Sequence, residues 1–197
     1  MVKGGETRRA QYAVDNLFVD RWSPRAMSGE AIATHELMSL FEAARWAPSS
    51  GNAQPWRMLY ALRDGPDWPT FLSLLSEQNR TWAGNAGALV LFASKKTNDR
   101  THQPSVTHSF DTGAAWAFFA LQGYLNGYAV HGMQGFDYHR AQRELNIPDA
   151  FRVEAMAAVG RPGSTASLSL PLQQRETPND RRPLAESVCE GKWALKG

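Results

Sequence analysis

The residues best equipped for chemistry are not acids or bases but short polar groups crowded into a few loops. Ser49, Ser50, Gly51, Asn52 and Gln54 fall within six positions, directly after Pro48 and before Pro55-Trp56. Pro48 stops the helical pattern before it, since proline lacks the donor N–H and biases its predecessor away from helix. Small side chains and accessible backbone amides there fit two readings, a well-made helix-to-strand connection or one wall of a site for a polar, planar ligand. Arg21-Trp22-Ser23-Pro24-Arg25 places two guanidinium groups and a hydroxyl around a proline. Such groups recognise phosphate through charge-assisted bonds, although a solvated basic turn has the same composition. Val130 to Asp137, VHGMQGFD, brackets Met133 and Gln134 with Gly132 and Gly135, where a backbone without side chains permits close approach of a ligand. Asn79 and Arg181 add one amide and one further cation.

Other catalytic constellations are missing from the sequence. There is no G-x-S-x-G elbow, no H-E-x-x-H, and no G-x-G-x-x-G leading from a strand into a helix. The single Cys189 excludes an intramolecular disulfide or a Cys-rich metal site, and fits a reducing, cytoplasmic setting. His102 and His108 flank Pro104 without a carboxylate at ligand spacing and read as surface histidines. His131 reads as a packed, hydrogen-bonded histidine, and Asp111 and Asp137 as helix caps. No metal site and no catalytic side chain is expected. A protein offering orientation but few acid–base groups leaves the reaction to a cofactor with a phosphate end and a flat, hydrogen-bonding ring.

The elements that must position these groups follow from periodicity. The chain has 197 residues, 43% hydrophobic and 20% charged, enough for one domain with a real core. A net charge of +2 argues for neither nucleic acid nor a membrane surface, and no apolar run approaches the roughly 20 residues of a membrane span. Residues 1–10 read as a disordered leader without the apolar segment of a secretory signal. Residues 11–20 carry Val14, Leu17 and Phe18 at helical spacing. Thr34 is expected to cap a helix with Leu37, Leu40, Phe41, Ala44 and Ala47 on one stripe. Strands are expected at 57–62, 89–92 and 155–159, with short helices over 68–76 and 77–82. Residues 95–107 are polar and aperiodic, as in a mobile loop of the kind that lids a site. Asp111 to Tyr128 is apolar on nearly every face and is expected to be buried all round, which in so short a chain calls for a second subunit. From about 164 onward the pattern is lost, as in an extended arm (164–197) that docks on a neighbour. The layering is mixed α and β.

Taken together, these segments resemble the FMN-dependent nitroreductase family. RWSPR at 21–25 is similar to its N-terminal R-x-S-x-R/K motif, and AARWAPSSGNAQPWR at 43–57 to its most recognisable segment. HGMQGFD at 131–137, Ile147-Pro148, AMAAVGRPG at 155–163 and RRPLAE at 181–186 follow in the family's order. The resemblance implies an α+β nitroreductase-like fold, a central mixed or antiparallel sheet flanked by helices, within one FMN-binding domain over 11–197. It implies an intertwined homodimer with two FMN sites at the interface. Carried over by position, Arg21, Trp22, Ser23 and Arg25 would lie at the phosphate and ribityl chain, with Arg181 as a second phosphate contact. Asn79 would face the flavin. Pro48, Ser49, Ser50, Asn52 and Gln54 would come from the other subunit. Met133, Gln134 and Gly135 would lie along the ring near N5. Trp82 stands where some members carry a lysine, which implies a different hold on the pyrimidine edge of the flavin, and Asn179 stands where others carry one, so the phosphate grip rests more on arginine. Trp82 and Phe136 are candidates for an apolar slot over the ring. The implied reaction is a ping-pong reduction of a nitroaromatic, quinone or similar small acceptor by NAD(P)H. A flavin oxidase or dehydrogenase of a dedicated metabolite and a non-catalytic flavin-binding protein are the alternatives.

Overall fold

The computed structural model describes residues 2–195. Its chain divides into two compact units, a body over 23–176 and a terminal unit built from 2–22 and 177–195.

The body is organised by one four-stranded sheet in the order β1-β2-β4-β3, with every neighbouring pair antiparallel. The strands are β1 (Trp56–Leu62), β2 (Ala88–Lys95), β3 (Ala129–Met133) and β4 (Phe151–Gly160). β2 is the most apolar segment and is central, because both of its faces are covered. Alternation along it divides the interior. Leu89, Leu91 and Ala93 face one cluster, whereas Ala88, Val90 and Phe92 face the other. The first cluster takes in Phe71 and Leu74 of α3 (Trp68–Leu74), Trp82 of α4 (Glu77–Ala83) and Ala141 of α6 (Tyr138–Glu144). The second is covered by α2 (Thr34–Arg45) and α5 (His108–Leu125), through Leu37, Leu40 and Ala44 against Ala115, Phe119 and Ala120. These apolar stripes follow the helical period and supply most of the driving force for the body. The α+β class is that expected, and the sheet is antiparallel throughout.

Several local expectations change. Residue Thr34 is the first residue of α2 and caps nothing; Glu36 Oε2 instead accepts from the Ala33 N–H at 3.4 Å. The long helix α5 starts three residues earlier than expected, and within the single chain it leaves Phe110 80% and Leu125 62% exposed, so its full burial rests on the second subunit that the sequence calls for. Its buried side lies against α2 and β3, and Gly123 permits this, since a Cβ there would meet Val130 Cγ2 of β3 at 2.4 Å and Leu40 Cδ2 of α2 at 3.2 Å. Residues 96–105 form a hydrogen-bonded hairpin rather than an unstructured loop. Asn98 donates to Gln103 O, Ser105 to Lys96 O, and the Asn98 carboxamide accepts from the N–H groups of Arg100 and Thr101. After β4 come a short helix α7 (Leu170–Gln173) and the buried Glu176.

The terminal unit contains α1 (Asn16–Asp20), capped by Asp15, whose carboxylate accepts from the Leu17 N–H at 2.8 Å. A 3-10 turn at Gly4–Glu6 and another at Leu184–Glu186 complete its regular structure. Among the described residues no helix is long and apolar enough to cross a membrane.

Candidate functional site

In the body, the polar turn between α2 and β1 is the most constrained stretch of backbone. Gly51, Asn52 and Gln54 have φ values of 56°, 55° and 47°. Glycine adopts this left-handed region freely, but for Asn and Gln it is held at a cost of about 1 kcal/mol or more each. The turn is held by its own groups. Ser49 Oγ accepts from the Gln54 N–H at 3.1 Å, and the Gln54 amide donates to Asn52 O at 3.2 Å. It is also tied to the first turn of α5, where Asp111 Oδ2 accepts from the Ser50 N–H at 3.2 Å and from Thr107 Oγ1 at 3.1 Å. Asp111 is therefore not the cap of α5 but a buried link between two elements. Asp137, by contrast, does cap α6, accepting from the Arg140 N–H. Pro48, Ser50, Gly51, Asn52 and Gln54 remain exposed and Ser49 half-buried, so their polar groups face outward.

A second group forms where β3 ends. Gly135 O accepts from the Ser76 N–H at 2.9 Å and from Asn79 Nδ2 at 3.0 Å, so α4 holds the Gln134–Gly135 backbone in place. Asn79 thereby keeps its carboxamide oxygen as an acceptor. Among the described residues no protein group accepts from the backbone N–H of Gln134 or Gly135. These two donors border an open recess of about 470 Å³ that Ser76, Arg80 and Arg140 also line. The two glycines do not leave the room for close approach that the sequence suggested. A Cβ at Gly132 would lie 2.9 Å from Trp116 Cζ2, and one at Gly135 would lie 2.7 Å from Asn79 Nδ2. Both spaces are filled by protein.

Some expected contacts are committed elsewhere. Trp82 is 1% exposed and packs on His131 with ring centroids 4.6 Å apart; Phe136 is buried against the first core cluster and stacks on Tyr138. Trp82 is therefore no wall of an open slot, whereas Phe136, although largely buried, still lines the recess beside Gln134 and Gly135. Met133 also belongs to that core, so only its backbone can serve a ligand. His131 bonds to Pro24 O through Nδ1 at 3.2 Å, as a packed histidine should. His108 is no loose surface histidine. Its Nδ1 lies 2.7 Å from Ser94 Oγ, and Ser94 and Ser109 both donate to Glu154 Oε1, at 2.5 and 2.6 Å. Glu154 stands opposite the register shift between Phe92 and Ala93, where a bulge turns its carboxylate toward α5.

Sequence reasoning passed over Glu176, which shapes the Ser23–Arg25 segment. Its Oε1 accepts from the N–H groups of Arg25 and Ala26 at 2.5 and 2.8 Å, and Oε2 lies 3.6 Å from the Arg25 guanidinium. Oε1 is thus satisfied by two backbone donors, whereas Oε2 is buried without a hydrogen-bond partner among the described residues and has only the charge of the nearby Arg25 guanidinium to offset its burial. No local pattern marks it, because its partners lie about 150 positions away in sequence.

In the terminal unit, Arg21 and Arg181 lie in one field of charge with Arg8. Burial, and then the neighbouring Arg8 and Arg181, pull the Arg21 guanidinium below its ordinary value. Arg181 Nη1 donates to Asp180 O at 3.2 Å and to the main chain and side chain of Asn179 at 3.4 Å. The Trp22 indole is buried and donates to Val2 O at 2.7 Å, so its side chain serves the fold. Arg8, Arg9, Tyr12, Phe18, Arg181 and Leu184 lie around a cavity of about 610 Å³ in this unit.

Residues 19–67 match the model of the nitroreductase family. Along nearly its whole length the chain is similar to an oxidoreductase containing FMN, at 45% identity and a TM-score of 0.92, over 96% of this chain and 97% of that one. The chain belongs to the nitroreductase family. A family protein from Clostridium difficile 630 shares 20% identity and a TM-score of 0.68, covering 90% and 97% of the two chains. A protein from Desulfovibrio desulfuricans solved in complex with FMN shares 23% and 0.70, covering 90% and 95%. Both illustrate the nitroreductase fold. No protein of curated function matches the chain in sequence. The family match spans Arg21 to Arg25 and the 48–54 turn, the two segments with the densest polar chemistry in the first third of the chain.

Proposed function

We propose that this protein is an FMN-dependent oxidoreductase that takes electrons from NAD(P)H and passes them to a nitroaromatic, quinone or similar small acceptor, in ping-pong order. The observation that carries the reading is the full-length likeness, at 45% identity, to an oxidoreductase that contains FMN. The groups present suit that cofactor. A flavin ring needs donors along one edge, and the N–H groups of Gln134 and Gly135 are donors without a protein acceptor among the described residues. It also carries a ring N–H, for which the Asn79 carboxamide oxygen is a suitable acceptor. A phosphate needs cations, and guanidinium groups at Arg21, Arg25 and Arg181, with the Ser23 hydroxyl, are of the right kind.

Bound FMN supplies the electron chemistry, accepting a hydride equivalent and releasing electrons to the acceptor. The chain's own part is to hold and orient. Glu176 sets the backbone of Arg25 and pairs with its side chain. Asn79 and Ser76 fix the carbonyl of Gly135 and with it the backbone that carries the Gln134 and Gly135 N–H groups. Asp111 and Ser49 hold the exposed turn whose Ser50, Asn52 and Gln54 groups are proposed to reach a second subunit's flavin. Preset donors of this sort lower the reorganisation that accompanies electron transfer to and from the ring. A homodimer is part of the proposal. Phe110 and Val106, 80% and 95% exposed at the start of α5, and Trp46 at 69% beside the turn, give an apolar face suited to a second copy. A cytoplasmic, reducing setting fits the lone exposed Cys189.

The test is the visible spectrum of the purified protein before and after NAD(P)H under nitrogen, followed by addition of a quinone or nitroaromatic. Flavin absorption that bleaches with the donor and returns with the acceptor is expected. Colourless protein that takes up no added FMN defeats the reading. Bound flavin that never bleaches favours a non-catalytic binder, and bleaching by a metabolite rather than NAD(P)H, with peroxide formed in air, favours a dedicated oxidase.

A further inference from the structure

Arg8 lies in the segment expected to be a leader, outside the residues that match the family model. Its surroundings do not resemble those of a leader residue. It is 7% exposed, and its guanidinium makes four hydrogen bonds to two separate stretches of chain. Nε donates to Asn179 O at 2.7 Å and Nη2 to Asn179 Oδ1 at 3.3 Å. Nη1 donates to Val19 O at 3.0 Å and to Arg21 O at 2.9 Å. Gly4 packs against this side chain so closely that a Cβ there would lie 2.9 Å from Arg8 Nη1.

The partners matter more than their number. Arg21 is one proposed phosphate contact, and Asn179 precedes the other, Arg181, by two residues and accepts from it as well. The flat, five-donor fork of arginine can bridge these carbonyls at once, whereas an ammonium group presents a single point of charge. A second observation points to an anion. Burial and the charge of Arg181 pull the Arg8 guanidinium below its ordinary value, with Asp180 opposing, and Arg21 feels the same crowding from both neighbours. Three like charges held within each other's field make the approach of a further anion favourable.

We propose that Arg8 is a positioning residue for the phosphate of the flavin: it sets the backbone from which Arg21 and Arg181 reach, and adds its own charge to their field. This rests on the FMN reading above. The ligand chemistry is a phosphate monoester dianion, which riboflavin lacks and FMN carries, so the two flavins separate this role from general folding.

The experiment is fluorescence titration of flavin-depleted protein with FMN and with riboflavin, for the wild type, Arg8→Ala and Arg8→Lys. Arg8→Ala is expected to weaken FMN about tenfold or more and riboflavin by less than about twofold, collapsing the preference between them. Arg8→Lys keeps the charge without the fork and is expected to recover only part of that preference. Equal loss for both flavins would mean a purely structural residue, and unchanged FMN affinity would mean no role; either overturns the proposal. Should Arg8→Ala fail to fold, Arg8→Lys carries the same test with the same two adverse outcomes. A wild type that binds FMN while Arg8→Ala is unimpaired removes this proposal alone, whereas a wild type that binds neither flavin removes the FMN reading with it.

Discussion

The Pro48–Gln54 turn and the arginine group of the terminal unit hold their polar atoms ready in opposite ways. In the turn the charge is low and the tension is conformational: Asn52 and Gln54 sit at positive φ, kept there by Ser49 and by the turn's own amides. In the arginine group the backbone is relaxed and the tension is electrostatic, with Arg8, Arg21 and Arg181 crowding one another. A strained turn loses little by accepting a ligand of any charge, provided its shape fits. A crowd of cations gains specifically from an anion. The difference suggests that the first region sets shape and the second sets affinity for phosphate.

The largest effect is expected where charge is removed. Arg21→Ala should weaken FMN binding by about tenfold to a hundredfold, from the loss of a charge-assisted contact of about 1.5–3 kcal/mol. The loss should shrink as salt rises, because the contact is ionic. Fluorescence titration at two ionic strengths measures it, and unchanged affinity would count against the phosphate assignment.

Next is the link beneath the turn. Asp111→Ala leaves the Ser50 N–H and the Thr107 hydroxyl without their acceptor and should destabilise the protein by about 1–3 kcal/mol. A denaturant titration reads this directly. A midpoint matching the wild type would show that the turn does not depend on α5.

Gln54→Gly tests the conformational side. Glycine adopts φ near 47° without strain, so stability should rise by up to about 1 kcal/mol. FMN affinity should fall modestly through loss of the carboxamide. Higher stability with full affinity would mean that the strain serves no ligand.

The smallest effect lies outside both regions. The Arg45 guanidinium and the Trp46 indole N–H hold the Glu42 carboxyl at about 2, against an ordinary value of 4.5. The folded-state value is depressed, so the stabilisation is present above pH 4.5 and is lost as pH falls toward 2. All three groups are exposed, and solvent screens the interaction. Glu42→Gln should therefore flatten the acid limb of a thermal-melt profile slightly over that window, and an identical profile would show the pair to be silent.

Much of the fold was legible because it follows from local patterning. The runs at 89–92 and 155–159, the helical stripe from Leu37 to Ala44 and the proline after it all became the expected elements. The polar turn at 48–54 was legible for the same reason, since its composition is confined to a few consecutive residues. Misreadings came where side chains act at a distance. Gly132 and Gly135 invited a ligand until Trp116 and Asn79 filled the space beside them. Trp82 was a candidate for an open slot until it proved to be core. Histidine 108 looked solitary because Ser94 and Glu154 reach it from two other strands.

The sequence by itself determined which groups are available: arginines at both ends, small polar residues in one turn, glycines after a strand, and no side chain suited to acid–base work. It also determined the elements that carry them, because hydrophobic period and chain breakers act over a few residues. Tertiary structure alone decided which of those groups remain available. Trp22, Met133 and Trp82 are consumed by packing, whereas the N–H groups of Gln134 and Gly135 are left without a protein acceptor among the described residues. It alone decided, too, that Glu176 braces Arg25 and that Arg8 joins Arg21 to Asn179. Those pairings span up to 171 positions, and no pattern in a linear chain specifies which distant carbonyl a guanidinium will meet. Packing settles that, since a buried charge is tolerated only where the fold brings its partners to it.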